Sequence, residues 1–201
     1  MTFDKLASEE VLDKTIKALK TNGIDVIVVK NGEDAKNKVL ELIPKDSEVF
    51  TVTSTTVNSI GLAKELNESG QYTSVRQKLN DMDRQKQGQE MNKMGAAPGW
   101  VVGSVHAVTE DGRVIVVSAS GSQIPAYVYG AQHVVWVVGT QKIVKSLDEG
   151  FKRVYDYVFP LENERAKKVY GMGSSVNKMM VLNKERPGRI TLIFVKEVLG
   201  F

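Results

Sequence analysis

The sequence predicts an α/β fold: a mixed, largely parallel sheet with helices on both faces and antiparallel hairpins added. Three observations carry that expectation. Helical and strand patterns alternate through the first third of the chain. Several short runs are apolar, β-branched and nearly unbroken, as strands buried on both faces are. Two turn signals, Asp111-Gly112 and Pro187-Gly188, each separate a pair of strand-like runs. A single domain over residues 1–201 accommodates all of it.

Taken in order, Leu12, Ile16 and Leu19 lie on one face of a helix that Ser8 caps and Asn22-Gly23 stops. Ile24 to Val29 is a buried strand. Asn31 caps a second helix with Ala35, Val39 and Ile43 on one stripe, and Pro44 ends it. Glu48 to Thr53 is a strand, followed by a helical segment carrying Val57, Ile60 and Leu66. Val75 to Met94 is polar, with sparse apolar positions and a break at Gly88, and reads as a solvated helix. Trp100 to Val108 is a strand that returns through Asp111-Gly112 as Arg113 to Val117. Gln123 to Tyr129 is a short helix, and His133 to Val138 is an apolar strand. Ser146 and Glu149 have capping-box spacing and open a helix with Leu147, Phe151, Val154 and Val158 on one face. A further helix runs from Pro160 to Tyr170. Lys178 to Asn183 and Ile190 to Val195 read as a second hairpin, with Lys184, Glu185, Arg186 and Arg189 at a solvated tip.

Composition narrows the function. The chain has no cysteine, which excludes thiolate metal sites, iron–sulfur clusters and cysteine nucleophiles. Its two histidines, His106 and His133, cannot make a histidine-rich metal site by themselves; a carboxylate-assisted site stays open but no ligand spacing argues for one, and no metal or other cofactor is expected. The net charge is +3 with basic and acidic residues interspersed, so no basic block favours nucleic acid. No apolar run reaches the ~20 residues of a membrane span. The start, Met1 to Lys5, has no leader character, and a cytoplasmic location is expected.

Open α/β sheets bind ligands beyond the carboxyl ends of their strands. Three strand exits have the composition for this: Ser54-Thr55-Thr56, Ser118-Ala119-Ser120-Gly121-Ser122, and Gly139-Thr140-Gln141-Lys142. Free backbone N–H groups, hydroxyls, a glycine that admits close approach and one lysine are the donors that hold a phosphate or carboxylate. Each exit read alone is an ordinary cap or turn; three together point to a small-anion site. Ser104 and His106 fall on one face of a regular strand and are site candidates, with His106 also a catalytic one. Glu110 is the candidate acid, base or nucleophile. Asp111 is turn chemistry.

The stretch from Gly103 to Gly112, with Val116 to Ser122, Tyr129 to Gly139 and Lys142-Ile-Val, resembles the LUD (lactate utilization) domain family. Asn183 to Val195 resembles its short single-domain members, and Ser54-Thr-Thr with Ile60-Gly61-Leu62 is similar to its N-terminal loop. The resemblance implies a fold like that of ribose-5-phosphate isomerase, glucosamine-6-phosphate deaminase and the CoA transferases. It also implies that the Ser54 loop and the Ser120 turn face one cleft, where related folds hold phosphate or carboxylate. Some members act beside iron–sulfur partners in oxidising L-lactate to pyruvate, which implies protein partners in lactate oxidation. Longer relatives carry cysteine motifs that this chain lacks, and His106 stands where many have asparagine. The expected function is a metabolic component of lactate utilization that binds a small carboxylate or phosphorylated metabolite. The alternatives are an independent isomerase or acyl/CoA transferase using Glu110 or His106, or a non-enzymatic subunit of a redox complex that docks through Val75–Met94 or the terminal hairpin.

Overall fold

The structure, a computed structural model, describes residues 3–201. Met1 and Thr2, part of the start read as leader-free, lie outside the described residues. The first helix, α1 (Glu9–Thr21), begins where the Ser8 hydroxyl accepts a hydrogen bond from the Val11 amide. It is followed by β1 (Asp25–Val29), then α2 (Gly32–Leu42), which Asn31 caps through the Asp34 amide. Next come β2 (Glu48–Thr51), α3 (Thr55–Ser59) and α4 (Leu62–Glu68). The helix expected after Ser54 is thus two helices, divided at Gly61 (φ 68°), a backbone conformation that glycine adopts without strain. The polar segment that follows is also two helices, α5 (Val75–Asn80) and α6 (Arg84–Ala96), entered from the short strand β3 (Thr73–Ser74).

The remaining strands are β4 (Trp100–Gly103), β5 (Ala107–Thr109), β6 (Val114–Ser118), β7 (His133–Gly139), β8 (Ile143–Val144), β9 (Lys178–Leu182) and β10 (Ile190–Val195). Six strands form a sheet in the order β1-β10-β7-β4-β2-β3, and every pairing in it is parallel. Four others form a second, mixed sheet in the order β8-β5-β6-β9. The central strands explain why the parallel sheet is buried on both faces. On β7, Val134, Trp136 and Val138 face one core, while Val135 and Val137 face another. On β10, Ile190, Leu192 and Phe194 alternate with Ile193 and Val195 in the same way.

One face of the parallel sheet packs against α2, α3 and α4 through Ala35, Val39, Val57, Leu62 and Leu66. The other packs against α1 and one face of the second sheet, where Val108, Val114 and Val116 join Leu12 and Leu19. The outer face of the second sheet meets a long helical stretch: α7 (Leu147–Lys152), a π-type segment (Arg153–Val158) and α8 (Phe159–Tyr170). At its start, Ser146 accepts from the Glu149 amide as expected. The Glu149 carboxylate, however, closes on the Lys145 amide (2.6 Å), one residue earlier than in a capping box.

Three further expectations are corrected. The strand over Trp100–Val108 is not continuous: β4 ends at Gly103, and the chain crosses at Ser104–His106 into the second sheet as β5. Gly103 marks the break, since a Cβ there would overlap the Tyr127 hydroxyl and Val52 Cγ2. The C-terminal pair is not a hairpin either. β9 pairs antiparallel with β6, whereas β10 lies between β1 and β7 in the parallel sheet. The Pro187-Gly188 turn exists (Gly188 φ 82°), but it redirects the chain between sheets. Arg189 is buried rather than solvated. Its guanidinium donates to the carbonyls of Ala126, Tyr127 and Ala131 at 2.9–3.0 Å and pairs with Glu185, supplying donors to the end of a π-type turn, Ala126–Gly130.

Candidate functional site

Beyond the carboxyl ends of β2, β4 and β7 lies a cavity of about 330 Å³. The break after Gly103 creates part of it, because Ser104, Val105 and His106 are lifted off the parallel sheet into the gap between the two sheets. Ser54, Thr55 and Thr56 form one wall, Ser118, Ser120 and Ser122 another, and Lys142 is at the third strand exit. So Ser54, Thr55, Thr56, Ser104, His106, Ser118, Ser120, Ser122 and Lys142 line one space. Gly121 and Gly139 do not line it. Gly121 (φ 85°) shapes the turn, and its amide donates to Ser118 Oγ (2.8 Å). A Cβ on Gly139 would overlap Gln141 Oε1, so this glycine lets the chain fold back towards the buried Lys142. Glu110 is elsewhere: it pairs with Lys14 of α1 at 2.7 Å, outside the cavity.

Lys142 is 2% exposed. Its ammonium donates to Thr56 Oγ1 (3.0 Å), Ser104 Oγ (3.1 Å) and the Val105 carbonyl (3.2 Å). Thr56 passes the bond on to the Leu199 carbonyl (3.2 Å). No carboxylate pairs with Lys142 among the described residues. Burial, helped by the nearby charge of Arg153, pushes this amine down from 10.5 to about 7.

Arg153, fully buried, lies behind His106 and donates from Nη1 to the His106 carbonyl. Its Nε and Nη2 reach no hydrogen-bond partner among the described residues, and its guanidinium sits over the Tyr157 ring. His106 Nδ1 accepts from the Val117 amide (3.1 Å), which places the proton of the neutral ring on Nε2. Burial, then Lys142, then Arg153 push His106 down to about 3, so it is neutral at physiological pH. The floor of the cavity therefore combines a buried amine and a neutral imidazole, with the Arg153 guanidinium behind them.

The outer part is lined by residues that gave no local signal. Arg76 on α5 donates from Nε and Nη2 to the Thr51 carbonyl (3.1 and 2.8 Å) and lies over the Phe50 ring. Burial lowers its pKa. Glu162 and Arg165 on α8 form a bidentate pair at 2.7 Å beside Tyr170. Arg76 is hidden in a stretch that looks like a solvated helix, and Arg153 sits beside Val154 in an amphipathic pattern. A buried Ser74 cap two residues before Arg76 is the one available hint that this helix starts inside the protein. The cavity wall at Tyr127 and Val158 is also contributed by the two π-type segments, a helix distortion that recurs at functional sites.

A family profile described as the LUD domain matches residues 12–195. The chain belongs to the LUD domain family. That membership supports a role associated with lactate utilization in general terms. This LUD domain is also similar in fold to a DUF162 family protein from Deinococcus radiodurans, with a TM-score of 0.58 and 12% identity over 95% of this chain and 99% of that one. No curated protein matches it. Among its described residues no helix is long and apolar enough to cross a membrane, and no group of three metal-ligating side chains gathers.

Proposed function

We propose that this LUD domain binds a small anionic metabolite of lactate utilization, a carboxylate or a phosphorylated compound, in the cavity between its two sheets. The observation that carries this reading is Lys142: a buried amine with no carboxylate partner among the described residues, at a cavity lined by serine and threonine hydroxyls. Buried charges are costly unless paired. An anionic ligand supplies the missing charge and meets Arg76, Arg165 and the hydroxyls of the other strand exits. Within the same cleft, His106 Nε2–H is a neutral donor suited to a carbonyl or hydroxyl of the ligand. A catalytic role for Glu110 would need it to leave Lys14; the titratable groups that line the cleft itself include His106 and Lys142 at its floor and Glu162 and Tyr170 in its outer part.

Thermal-shift measurements with lactate, pyruvate, sugar phosphates and CoA esters test the reading. A ligand at a hundred times its Kd stabilises by about 2.7 kcal/mol, which is about 5–10 °C in Tm for a chain of this size. If none of these anions stabilises the protein at millimolar concentration, the reading fails.

A further inference from the structure

Resting on that anion-binding reading, we propose that Lys142 is a nucleophile that forms an imine with the keto carbon of an α-keto acid held in the cavity. The geometry that points to it is local. The Lys142 nitrogen lies at the cavity with two hydroxyls, Thr56 Oγ1 and Ser104 Oγ, at 3.0 and 3.1 Å. Among the described residues no carboxylate pairs with it to hold it as an ammonium, and a second buried cation, Arg153, stands nearby. Desolvation and a neighbouring cation are the two ways a protein frees a lysine amine for attack on a carbonyl. The same cavity is lined by donors for the substrate's carboxylate: Arg76, Arg165 (paired with Glu162) and the hydroxyls of Ser54, Thr55 and Ser120. A nucleophile surrounded by anion donors selects a molecule with an electrophilic carbon next to an anionic group, which is the chemistry of an α-keto acid.

The step balances without any redox partner. The neutral amine attacks the keto carbon and a C–N bond forms. The carbonyl oxygen leaves as water, taking the two amine protons, and a C=N bond remains. Ser104 and Thr56 are placed to relay those protons, and His106 Nε2–H to donate to the departing oxygen. The free amine that starts the step is abundant near neutral pH, because Lys142 titrates at about 7. At neutral pH its free-amine fraction exceeds that of an exposed lysine by on the order of a thousandfold. The charged and titratable groups around it are Arg153, His106, Arg76, Glu162, Arg165 and Tyr170.

The test is reductive trapping on the intact protein. Wild-type chain is incubated with pyruvate and borohydride, digested, and mapped by mass spectrometry. The expected result is a reduced pyruvate adduct concentrated on Lys142, formed at a rate whose pH midpoint lies near neutrality and not in the range of exposed lysines. Lys142→Arg, checked for folding by circular dichroism, keeps a cation but loses the adduct. Adducts spread over surface lysines with none enriched at Lys142 overturn the imine. If pyruvate still raises Tm in that case, anion binding survives the loss of the covalent step; if it does not, both readings fall.

Discussion

Replacing Lys142 by methionine removes the buried charge while keeping a side chain of similar length, and its effect on stability depends on pH in a way the structure specifies. In the unfolded chain this lysine titrates near 10.4; in the folded protein it titrates at about 7. Between these values the unfolded chain binds a proton that the folded protein does not. Stability therefore rises with pH across that window and falls as pH drops towards 7. The slope due to this one residue is up to about 1.4 kcal/mol per pH unit, or about 3 kcal/mol between neutrality and roughly pH 9.5. In the Lys142→Met protein that contribution is gone. Near neutrality the variant loses the three hydrogen bonds of the amine together with the desolvation cost of its charged form, so the pH dependence of the difference, not its value at one pH, carries the test. With increasing alkalinity the wild type gains on it. Urea denaturation followed by far-UV circular dichroism at a series of pH values measures this, and an unchanged m-value shows that the unfolding reaction is comparable. Groups titrating elsewhere cancel in the difference. Parallel pH profiles for the two proteins would refute the assignment of Lys142 as a buried, unpaired amine.

Three further outcomes follow from the same contacts. His106, held at about 3 against 6.5 unfolded, contributes stability that is present above about pH 6.5 and lost as pH falls towards 3; His106→Gln flattens the acid limb of the stability profile by up to a few kcal/mol, read by denaturation at pH 4 and 7. Arg189→Met strands three buried carbonyls and Glu185, costing about 3–5 kcal/mol by chemical denaturation, and a loss under about 1 kcal/mol would contradict the role given to this arginine. Gly103→Ala forces Tyr127 and Val52 apart and lowers stability by about 1–3 kcal/mol, seen as a lower Tm, whereas the same substitution at Gly88, which has open space around it, costs nothing comparable.

The parts of this molecule set by local chemistry were readable from residues alone. Ser8, Asn31, Ser54 and Ser146 cap the helices their positions suggested, and the largely apolar runs His133–Val138 and Ile190–Val195 marked strands, which the structure buries on both faces. The two-sheet arrangement was not readable, because Gly103 is the only local mark of the crossover and its reason lies in Tyr127 and Val52, which are distant in sequence. For the same reason a turn of two residues between β9 and β10 resembled a hairpin: the turn chemistry is right, but the partners are chosen by β6 and β7.

The site divides along the same line. Hydroxyl-rich strand exits announce themselves by composition, and Ser54, Thr56, Ser118, Ser120, Ser122 and Lys142 lie around one cavity. Long cations that reach the cavity from helices do not announce themselves. Arg76 and Arg165 look like surface residues until their helices are docked, and Arg153 looks like a polar interruption until it is found buried behind His106. Glu110 shows the converse: its position near a strand end suggested chemistry, yet α1 packs over that edge and supplies Lys14.

Whether the cavity at Lys142 holds a small anion can be read from a crystal structure of the protein soaked with pyruvate. Density for the acid is expected between the Ser54–Thr56 and Ser118–Ser122 walls and within bonding or hydrogen-bonding distance of the Lys142 nitrogen. Water alone in that space at saturating pyruvate, lactate and a sugar phosphate, with Lys142 still bonded only to Thr56, Ser104 and Val105, would contradict it.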